Sequence, residues 1–588
     1  MLRAGCARGH AVAIIARMWA RERARLLAVA RGAAPADRYV RGGLLLSVYT
    51  GEIYPANVAI KGERIAYVGP SEEMIGPATD ILDARGRTLV PGYIEPHAHP
   101  WTLTTPTALA RHVLPLGTTT IVADNLAPYM LGGLRGFERA IAALARGPLR
   151  FYWMVRPHSQ SRGVDERRLF PLAALRRMLR HPSTIGIGEV TRWPEVWAGR
   201  RALLERLALA PEVGKRIEGH TAGANREKVA VLAAAGFTSD HEPITGEEAL
   251  DRARHGLALM LRQSSLRRDL KELLGSFAKS ASTARLMLTT DGSTPAFIAE
   301  HGFVDSLVRL GLDAGVPPAD VYRMVTLNPA TYYGRDADLG GIAPGRYADL
   351  VLLRDLAEPV PDVVIARGRV AAREGRLLAR VPEPVWSTIF TPRTTRFDHA
   401  FSIGPDELEL PVGPLPIIRL VSAVITTLEE RPVGDGDLHA ALLDRRGQWI
   451  TTGAVAGFAA ALDGLAVTLS TDYQVLALGR RTAAMARAVN RLLRLRGGIV
   501  LVEGDRVVFE LALPVAGVMS TRSLIELAQS ERRIQALLAA RGHTFHDPIY
   551  TLLFLTADFL PSVRLTADGV WDVKRRRILR PSRRRARH

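Results

Sequence analysis

Two histidines separated by one residue, His97 and His99, form the clearest metal-binding pattern in the chain. They follow an apolar stretch, and Pro100 comes directly after them. In a β-strand, residues i and i+2 point to the same side, so both imidazoles can bind one divalent ion. A lone His-x-His pair is weak evidence because it arises by chance in many sequences. The chemistry therefore depends on whether further ligands occur in matching positions.

Further imidazole and carboxylate groups do occur in matching positions, each after a short apolar run and before turn residues. The predicted metal ligands are His97, His99, Glu189, His220, His241 and Asp291. This mixture of nitrogen and oxygen donors suits divalent zinc, manganese or iron. We predict two ions bridged by Glu189. Asp291 would bind metal and also accept a proton from the bridging water.

The elements that must bring these ligands together are strands that alternate with helices. From residue 91 to 337, strand-like runs such as 117–124, 149–157 and 184–190 alternate with helical runs rich in Arg, Ala and Leu. Repeated alternation of this kind predicts an α/β fold, a TIM-like (β/α)8 barrel. In such barrels the carboxyl ends of all strands face one side, where the active site lies.

The flanks of the predicted barrel have a different pattern. Residues 36–90 and 338–385 read as short strands separated by Gly-containing turns, which predicts one composite β-sandwich built from both flanks. Residues 400–573 are rich in Val, Leu and Gly and predict a C-terminal α+β domain.

The net charge of +19 suggests nucleic-acid binding until its location is considered. Much of it lies in a basic N-terminal extension with a helix (1–35, +6) and a basic tail (574–588, +9). Such segments are typically solvated, so we predict no specific nucleic-acid partner. The single cysteine, Cys6, excludes a disulfide framework and favours a reducing, cytoplasmic location. We see neither a signal peptide nor an apolar run of the roughly 18–20 residues that cross a membrane.

The order of the motifs resembles the adenine deaminase family of the amidohydrolase superfamily. The motifs include VPGYIEPHAH (90–99), LPLGTTTIVAD (114–124), EGHTAG (218–223), LTTDGSTP (288–295) and LPVAGVMS (513–520), and the similarity runs from about residue 25 to 573. The resemblance implies the barrel, the composite sandwich and a C-terminal domain special to this family. It also implies two divalent ions, most often Mn²⁺ with Fe²⁺ or Zn²⁺ as alternatives. The implied reaction is hydrolysis of adenine to hypoxanthine and ammonia by a homo-oligomer, dimeric or larger, in purine salvage or adenine catabolism.

Four positions near the predicted centre depart from the family pattern. Trp101 follows the histidine pair where the family carries an Ile-Glu-Ser segment, and Gly292 follows Asp291 where it carries a second aspartate. Gln263 stands in place of a glutamate, and Tyr473 lies in a segment that replaces Asp-Ser-His-Asn. The ligands are retained while their surroundings change, so a related aminopurine is an alternative substrate.

Three side chains are candidates for roles beside the metals. Glu242 follows His241, and it either protonates a ring nitrogen of the substrate or orients His241. Arg262 either faces the pocket or is structural, and Trp101 either stacks on a planar substrate or packs in the core.

Two other functions stay open: a different amidohydrolase acting on another amine or a cyclic amide, and a non-catalytic binding protein. The second is disfavoured because all six ligand positions are occupied by ligand-type residues.

Overall fold

Parallel strands form a barrel that carries the predicted ligands at one end. The computed structural model describes residues 19–163, 165–278, 282–395 and 401–585. Among these, eight parallel strands pair in chain order. They are β1 (Tyr93–Ala98), β2 (Thr118–Asp124), β3 (Arg150–Val155), β4 (Thr184–Val190), β5 (Arg216–Gly219), β6 (Ser239–Asp240), β7 (Ala258–Arg262) and β8 (Leu286–Thr289). The barrel prediction is confirmed.

The last strand meets the first through a buried carboxylate. Glu95 on β1 accepts hydrogen bonds from the Thr289 hydroxyl (2.6 Å) and the Thr290 backbone N–H (2.9 Å). A parallel bridge then joins Ala98 to Asp291. This closure brings the histidine pair of β1 beside the aspartate that follows β8.

Helices connect these strands and cover their outer face. They are Pro106–Val113, Leu126–Leu144, Glu166–Leu169, Leu172–Leu179, Trp193–Trp197, Arg201–Leu207, Arg226–Ala234, Gly246–Arg254, Leu270–Ser276, Pro295–His301, Val304–Asp313, Pro318–Met324 and Leu327–Tyr332, with a 3₁₀ turn at Pro211–Val213. Several begin at a side chain that accepts a hydrogen bond from the first turn, as Thr105, Asn225 and Thr245 do. Apolar side chains between helices and strands, including Phe137 and Trp153, form the largest core.

Both flanks of the barrel contribute to one further sheet. Its strands are Arg38–Leu46, Ile53–Lys61, Arg64–Gly69, Asp80–Asp83, Thr88–Pro91, Leu350–Leu353, Val363–Ala366, Arg369–Arg373 and Arg376–Leu377. The two flanks join where Thr88–Pro91 pairs antiparallel with Leu350–Leu353. Residues 19–30 are helical and pack Leu26 and Val29 near Tyr39. The first eighteen residues of the predicted basic extension lie outside the described residues.

The C-terminal part of the chain forms a second sheet-rich unit. Its strands are Leu415–Leu420, Thr426–Arg431, Leu438–Leu443, Trp449–Ala456, Gly464–Val467, Val475–Gly479, Gly498–Glu503, Arg506–Ala512, Val563–Thr566, Gly569–Asp572, Arg577–Pro581 and Arg583–Arg584. Its helices are Thr482–Leu495, Leu524–Ala539 and Pro548–Phe554, with a 3₁₀ turn at Pro405–Leu408, and short helices Trp386–Ile389 and Pro392–Thr395 precede it. Met519–Ser520 pairs with Leu103–Thr104, just after the histidine pair. This contact places the C-terminal unit against the mouth of the barrel.

The basic C-terminal segment differs from its prediction as a solvated tail. Arg577–Pro581 pairs with Gly569–Asp572, and Arg583–Arg584 pairs with Trp449 and Ile450. The Arg585 guanidinium forms an ion pair with Glu407 at 2.6 Å. The arginine-rich composition predicted a solvated tail and not a strand. Main-chain pairing and a few apolar contacts are nevertheless enough to hold arginines at a sheet edge. Residues 586–588 lie outside the described residues. Within the described ranges, we find no helix both long and apolar enough to cross a bilayer.

Glu531, in helix Leu524–Ala539, gives a pH-dependent stability that can be tested. Its side chain is 0% exposed and accepts a hydrogen bond from the Ala296 N–H at 2.8 Å. Burial raises the pKa of Glu531 to about 8. The folded state therefore holds this proton more tightly than the unfolded state, in which the pKa of a glutamate is about 4.3. The contribution of Glu531 to the free energy of unfolding consequently falls as pH rises between these two values. We expect Glu531→Gln to remove this decline, so the variant should melt above the wild-type protein near pH 8.

Thermal unfolding of both proteins across pH 5 to about 9 measures this effect. Glu300→Gln, at an exposed position on the facing helix, is the matched control and should follow the wild-type curve. Parallel curves for wild type and Glu531→Gln would contradict the prediction.

Candidate metal centre and cavity

The six predicted ligands converge at the carboxyl ends of the barrel strands. His97 lies on β1 and Glu189 on β4, and His99, His220 and His241 follow directly after β1, β5 and β6. Asp291 lies two residues after the end of β8. All but His99 and Asp291 are at most 9% exposed, and those two have side chains exposed by 20% and 16%. The structure therefore brings together the whole set that the strand-end pattern predicted.

One oxygen of Glu189 lies at the centre of the four imidazoles. Glu189 Oε2 is 3.4 Å from His97 Nε2, 3.5 Å from His99 Nε2, 3.5 Å from His220 Nδ1 and 3.3 Å from His241 Nε2. A carboxylate equidistant from four imidazole nitrogens has the position of a bridging ligand.

The nitrogens form two pairs on either side of this oxygen. His97 Nε2 and His99 Nε2 are 3.1 Å apart, and Asp291 Oδ1 lies 3.1 Å from His99 Nε2. His220 Nδ1 and His241 Nε2 are also 3.1 Å apart. Donor atoms that share one ion at about 2.0–2.2 Å are separated by roughly 3 Å, so each pair fits a divalent ion. Compatible groups of ligand atoms are His97, Glu189, His241 and Asp291, and His220, His241 and Glu242.

The second oxygen of Glu189 is held by residues that sequence reasoning did not single out. Glu189 Oε1 accepts hydrogen bonds from Arg156 Nη1 (2.8 Å) and Gln160 Nε2 (3.0 Å). Burial would raise the pKa of Glu189, but Arg156 and the histidines outweigh it and hold the pKa well below its usual value. Arg156 also bonds Asp124, whose Oδ1 is 3.4 Å from His99 Nδ1. Asp124 ends β2 and Arg156 follows β3, so the strand-end criterion could have found both.

A buried carboxylate on β5, Glu218, lies beside the Nδ1 atoms of two of the histidines. Glu218 Oε1 is 2.5 Å from His97 Nδ1 and 3.2 Å from His241 Nδ1. A proton on each Nδ1, facing this carboxylate, would leave the Nε2 lone pairs free to face the metal position. Glu218 lies two residues before His220, on the same side of a strand. The alternation of side chains along a strand could therefore have identified it as a neighbour of the centre.

We expect Glu218→Gln to lower metal affinity roughly 10- to 100-fold, because a neutral amide lacks the negative charge that fixes the histidine tautomers and raises the basicity of the imidazole ligands. Metal content after dialysis against graded chelator measures the affinity. Glu531→Gln, which alters a buried glutamate outside the centre, should retain wild-type affinity. Equal metal retention in Glu218→Gln and wild type would show that Glu218 does not orient these ligands.

Glu242 and Arg262 form a pair at the edge of the centre. Arg262 Nη1 is 2.5 Å from Glu242 Oε1 and 3.0 Å from Asp291 Oδ2. Glu242 Oε1 also lies 3.4 Å from His220 Nδ1. Burial opposes ionisation of Glu242, but Arg262 and His220 dominate and lower its pKa to about 2. The Arg262 guanidinium therefore favours the carboxylate form of Glu242, and its two predicted roles, protonating the substrate or orienting His241, stay predictions.

A cavity of about 310 Å³ opens above the centre. Three of the four positions that depart from the family pattern line it, namely Trp101, Gly292 and Tyr473. Gln263 does not line the cavity, and its backbone forms an isolated antiparallel β-bridge with Arg268. The Trp101 indole N–H donates to the Asp124 carbonyl at 3.0 Å, and its ring lies 5.7 Å from that of Trp153. Trp101 thus both packs in the core and forms part of the cavity wall.

The C-terminal unit supplies the other wall of the cavity. Its contribution is largely apolar: Val424, Ile425, Leu553, Phe554, Phe559, Leu560 and Pro561, with Ser470, Thr471, Tyr473 and Tyr550 adding polar atoms. The pocket is therefore closed by a part of the chain remote in sequence from the ligands.

Comparison with known proteins agrees with this architecture. The amidohydrolase family model matches residues 88–371, and the model of the adenine deaminase C-terminal domain matches residues 426–577. A protein of Halalkalibacterium halodurans, provisionally named as an adenine deaminase, is 34% identical over 95% of this chain and 97% of its own length. A Bacillus subtilis protein with the same provisional name is 32% identical, covering 92% and 94%. The adenine deaminase of Moorella thermoacetica is 32% identical, covering 93% and 96%.

The barrel and its matching family model define the class as an amidohydrolase, a hydrolase of C–N bonds, and this family implies a divalent metal centre. Within that class, the chain belongs to the adenine deaminase family, on the evidence of its C-terminal domain and its nearly full-length relatives.

Proposed function

We propose that this protein hydrolyses adenine, or a related aminopurine, to the corresponding oxopurine and ammonia at a centre of two divalent ions. The observation that carries the proposal is the position of Glu189 Oε2, 3.3–3.5 Å from a nitrogen of each of the four histidines. The names of the full-length relatives support adenine as the first substrate to test.

Each ion would be held by one side of the ligand set. His97, His99 and Asp291 would hold the first, and His220 and His241 the second, with Glu189 shared between them. Glu242 lies close enough to His220 and His241 to contribute an oxygen to the second position. Two bound divalent ions would supply a water of lowered pKa as the nucleophile. We favour Mn²⁺, with Fe²⁺ and Zn²⁺ as alternatives, because mixed imidazole and carboxylate ligands suit all three.

Proton transfer is assigned to Asp291. The water oxygen forms a bond to the purine carbon that bears the amine, and the carbon–nitrogen bond breaks as ammonia leaves. Asp291 accepts the proton of the water and delivers it to the departing nitrogen. Its second oxygen accepts a hydrogen bond from Arg262 at 3.0 Å, which fixes the orientation of the carboxylate. Glu242, ionised and bound to Arg262, would accept a hydrogen bond from an N–H group of the substrate.

A second candidate function is hydrolysis of a different amine or a cyclic amide at the same centre. The departures from the family pattern at Trp101, Gly292 and Tyr473 favour it, because these residues line the cavity in which a substrate would bind. The ligand set does not distinguish the two reactions, since both pass through attack of water on a trigonal carbon.

Metal analysis and a substrate panel test the proposal. Purified protein would be assayed by elemental analysis and then for ammonia release from adenine, N6-substituted adenines, isoguanine and cytosine. Cyclic amides would be followed by ultraviolet absorbance. His97→Ala serves as the metal-depleted control. Metal binding with turnover of an aminopurine supports the first function, turnover of cyclic amides alone supports the second, and absence of metal would refute both.

The cellular setting follows from the same assignment. We propose a cytoplasmic enzyme that binds a small purine-like molecule and forms a dimer or a larger homo-oligomer. Sedimentation of the purified protein would test the assembly state.

A further inference from the structure

The segment 548–562 of the C-terminal unit crosses the mouth of the barrel with a chain of aromatic rings. The rings of Tyr550 and Phe554 are stacked at 5.7 Å, and Phe554 meets Phe559 edge to face at 6.1 Å. Phe559 in turn contacts His220 edge to face at 5.3 Å. The aromatic chain therefore spans the cavity from its Gly292 side to the histidine pair on the other.

Tyr550 occupies space that a side chain at position 292 would require. A Cβ atom added to Gly292 would overlap the Tyr550 hydroxyl, so the glycine is needed for this approach. Tyr550 is 6% exposed and lines the cavity, and Gly292 is the neighbour of Asp291. A phenol from the C-terminal unit thus reaches the edge of the metal centre.

The aromatic segment is fixed to the barrel close to Glu189. The backbone N–H of Asp558 donates to the Gln160 carbonyl at 3.2 Å, and Asp558 Oδ2 lies 3.2 Å from Arg192 Nη2. The Gln160 side chain holds Glu189 Oε1 at 3.0 Å. Because one residue contacts both the aromatic segment and the central carboxylate, the rings have a defined position relative to the metal ligands.

We infer that Tyr550 is a substrate-contacting residue, supplied by the C-terminal unit, whose hydroxyl donates a hydrogen bond to an acceptor atom on the substrate edge nearest Asp291. Phe554 and Phe559 form the apolar surface against which the planar ring of the substrate lies. A phenol keeps its proton at neutral pH because its ordinary pKa is about 10, so it is a donor without charge. Aromatic faces favour planar rings in offset or edge-to-face contact. This inference rests on the proposed function, since it places an aminopurine in the cavity.

The test is Tyr550→Phe, assayed with the best aminopurine found for the wild-type enzyme. We expect kcat/KM to fall roughly 10- to 100-fold, the effect of losing one buried hydrogen bond to a polar substrate. Metal content and melting temperature should stay at wild-type values, because the ring remains. Tyr322→Phe is the matched control: Tyr322 is also a buried tyrosine, and its hydroxyl donates to the Leu356 carbonyl at 2.8 Å, away from the cavity. It should retain wild-type kcat/KM.

Product binding gives a readout independent of turnover. Calorimetric titration of the metal-loaded protein with hypoxanthine should show a roughly tenfold weaker Kd for Tyr550→Phe than for wild type. Gly292→Ala displaces the same hydroxyl without removing it, so it should lower kcat/KM to a similar extent with metal retained. A wild-type enzyme that turns over aminopurines while Tyr550→Phe stays within twofold of it in kcat/KM and Kd would overturn the inference alone. A metal-loaded wild-type enzyme inactive on every aminopurine would overturn the proposed function and this inference together.

Discussion

Asp291→Asn is expected to lower the rate of hydrolysis on the order of 10⁴-fold while the fold is preserved. Asparagine has the same shape and keeps an oxygen that can accept from Arg262, but it cannot take up a proton from the attacking water. Asp291 Oδ1 also lies within 3.1–3.4 Å of His99 Nε2 and His97 Nε2, so part of the loss would come from weaker metal binding. Both contributions act in the same direction.

The rate constant kcat, measured at saturating metal, separates these two contributions. A loss that persists when metal content is restored by excess ion belongs to proton transfer, and a loss that is rescued belongs to metal binding. Asp305→Asn is the matched control, because Asp305 is also buried (5% exposed) but belongs to helix Val304–Asp313. Activity of Asp291→Asn within tenfold of wild type would exclude Asp291 as the proton acceptor.

Glu189→Gln is expected to have the second large effect, a loss of roughly 100-fold or more in affinity for both ions. The amide can still accept from Arg156 and Gln160, so the buried guanidinium keeps a partner. It removes the negative charge that faces all four histidines, however, and a neutral oxygen or nitrogen is a poor bridge between two cations. Deaminase activity should fall with the metal content.

Elemental analysis after dialysis, together with calorimetric titration of Mn²⁺ into the stripped protein, measures this change. Glu531→Gln provides the same chemical substitution at a buried site outside the centre and should bind Mn²⁺ as wild type does. If Glu189→Gln lost one ion and retained the other at full affinity, Glu189 would be a ligand of one ion and not a bridge.

The convergence of the six candidate ligands could be predicted because each of them is tied to a local pattern. His97 and His99 share one side of a strand through the two-residue period of the backbone. Glu189, His220, His241 and Asp291 each mark the end of an apolar run, and the barrel brings the ends of its strands to one face. Periodicity and strand order are properties of sequence, so the fold class and these six positions could be read without coordinates.

Other features depend on contacts between segments that are distant in the chain. The pairing of Glu242 with Arg262 places a carboxylate next to a guanidinium, and this contact lowers the pKa of Glu242. The basic segment after residue 574 pairs with strands of the C-terminal unit, although its charge pattern indicated a solvated tail.

The sequence by itself determined the barrel and the histidine and carboxylate set at its strand ends, because those features repeat with the period of strands, and the resemblance of its motifs indicated the amidohydrolase class. Only the tertiary structure decided what surrounds that centre. Glu218 lies beneath two histidines, Gln160 and Arg156 hold Glu189, and Tyr550 approaches Gly292. The physical reason is that a strand-end position or an alternation can mark a residue, but which distant side chain it contacts depends on three-dimensional packing.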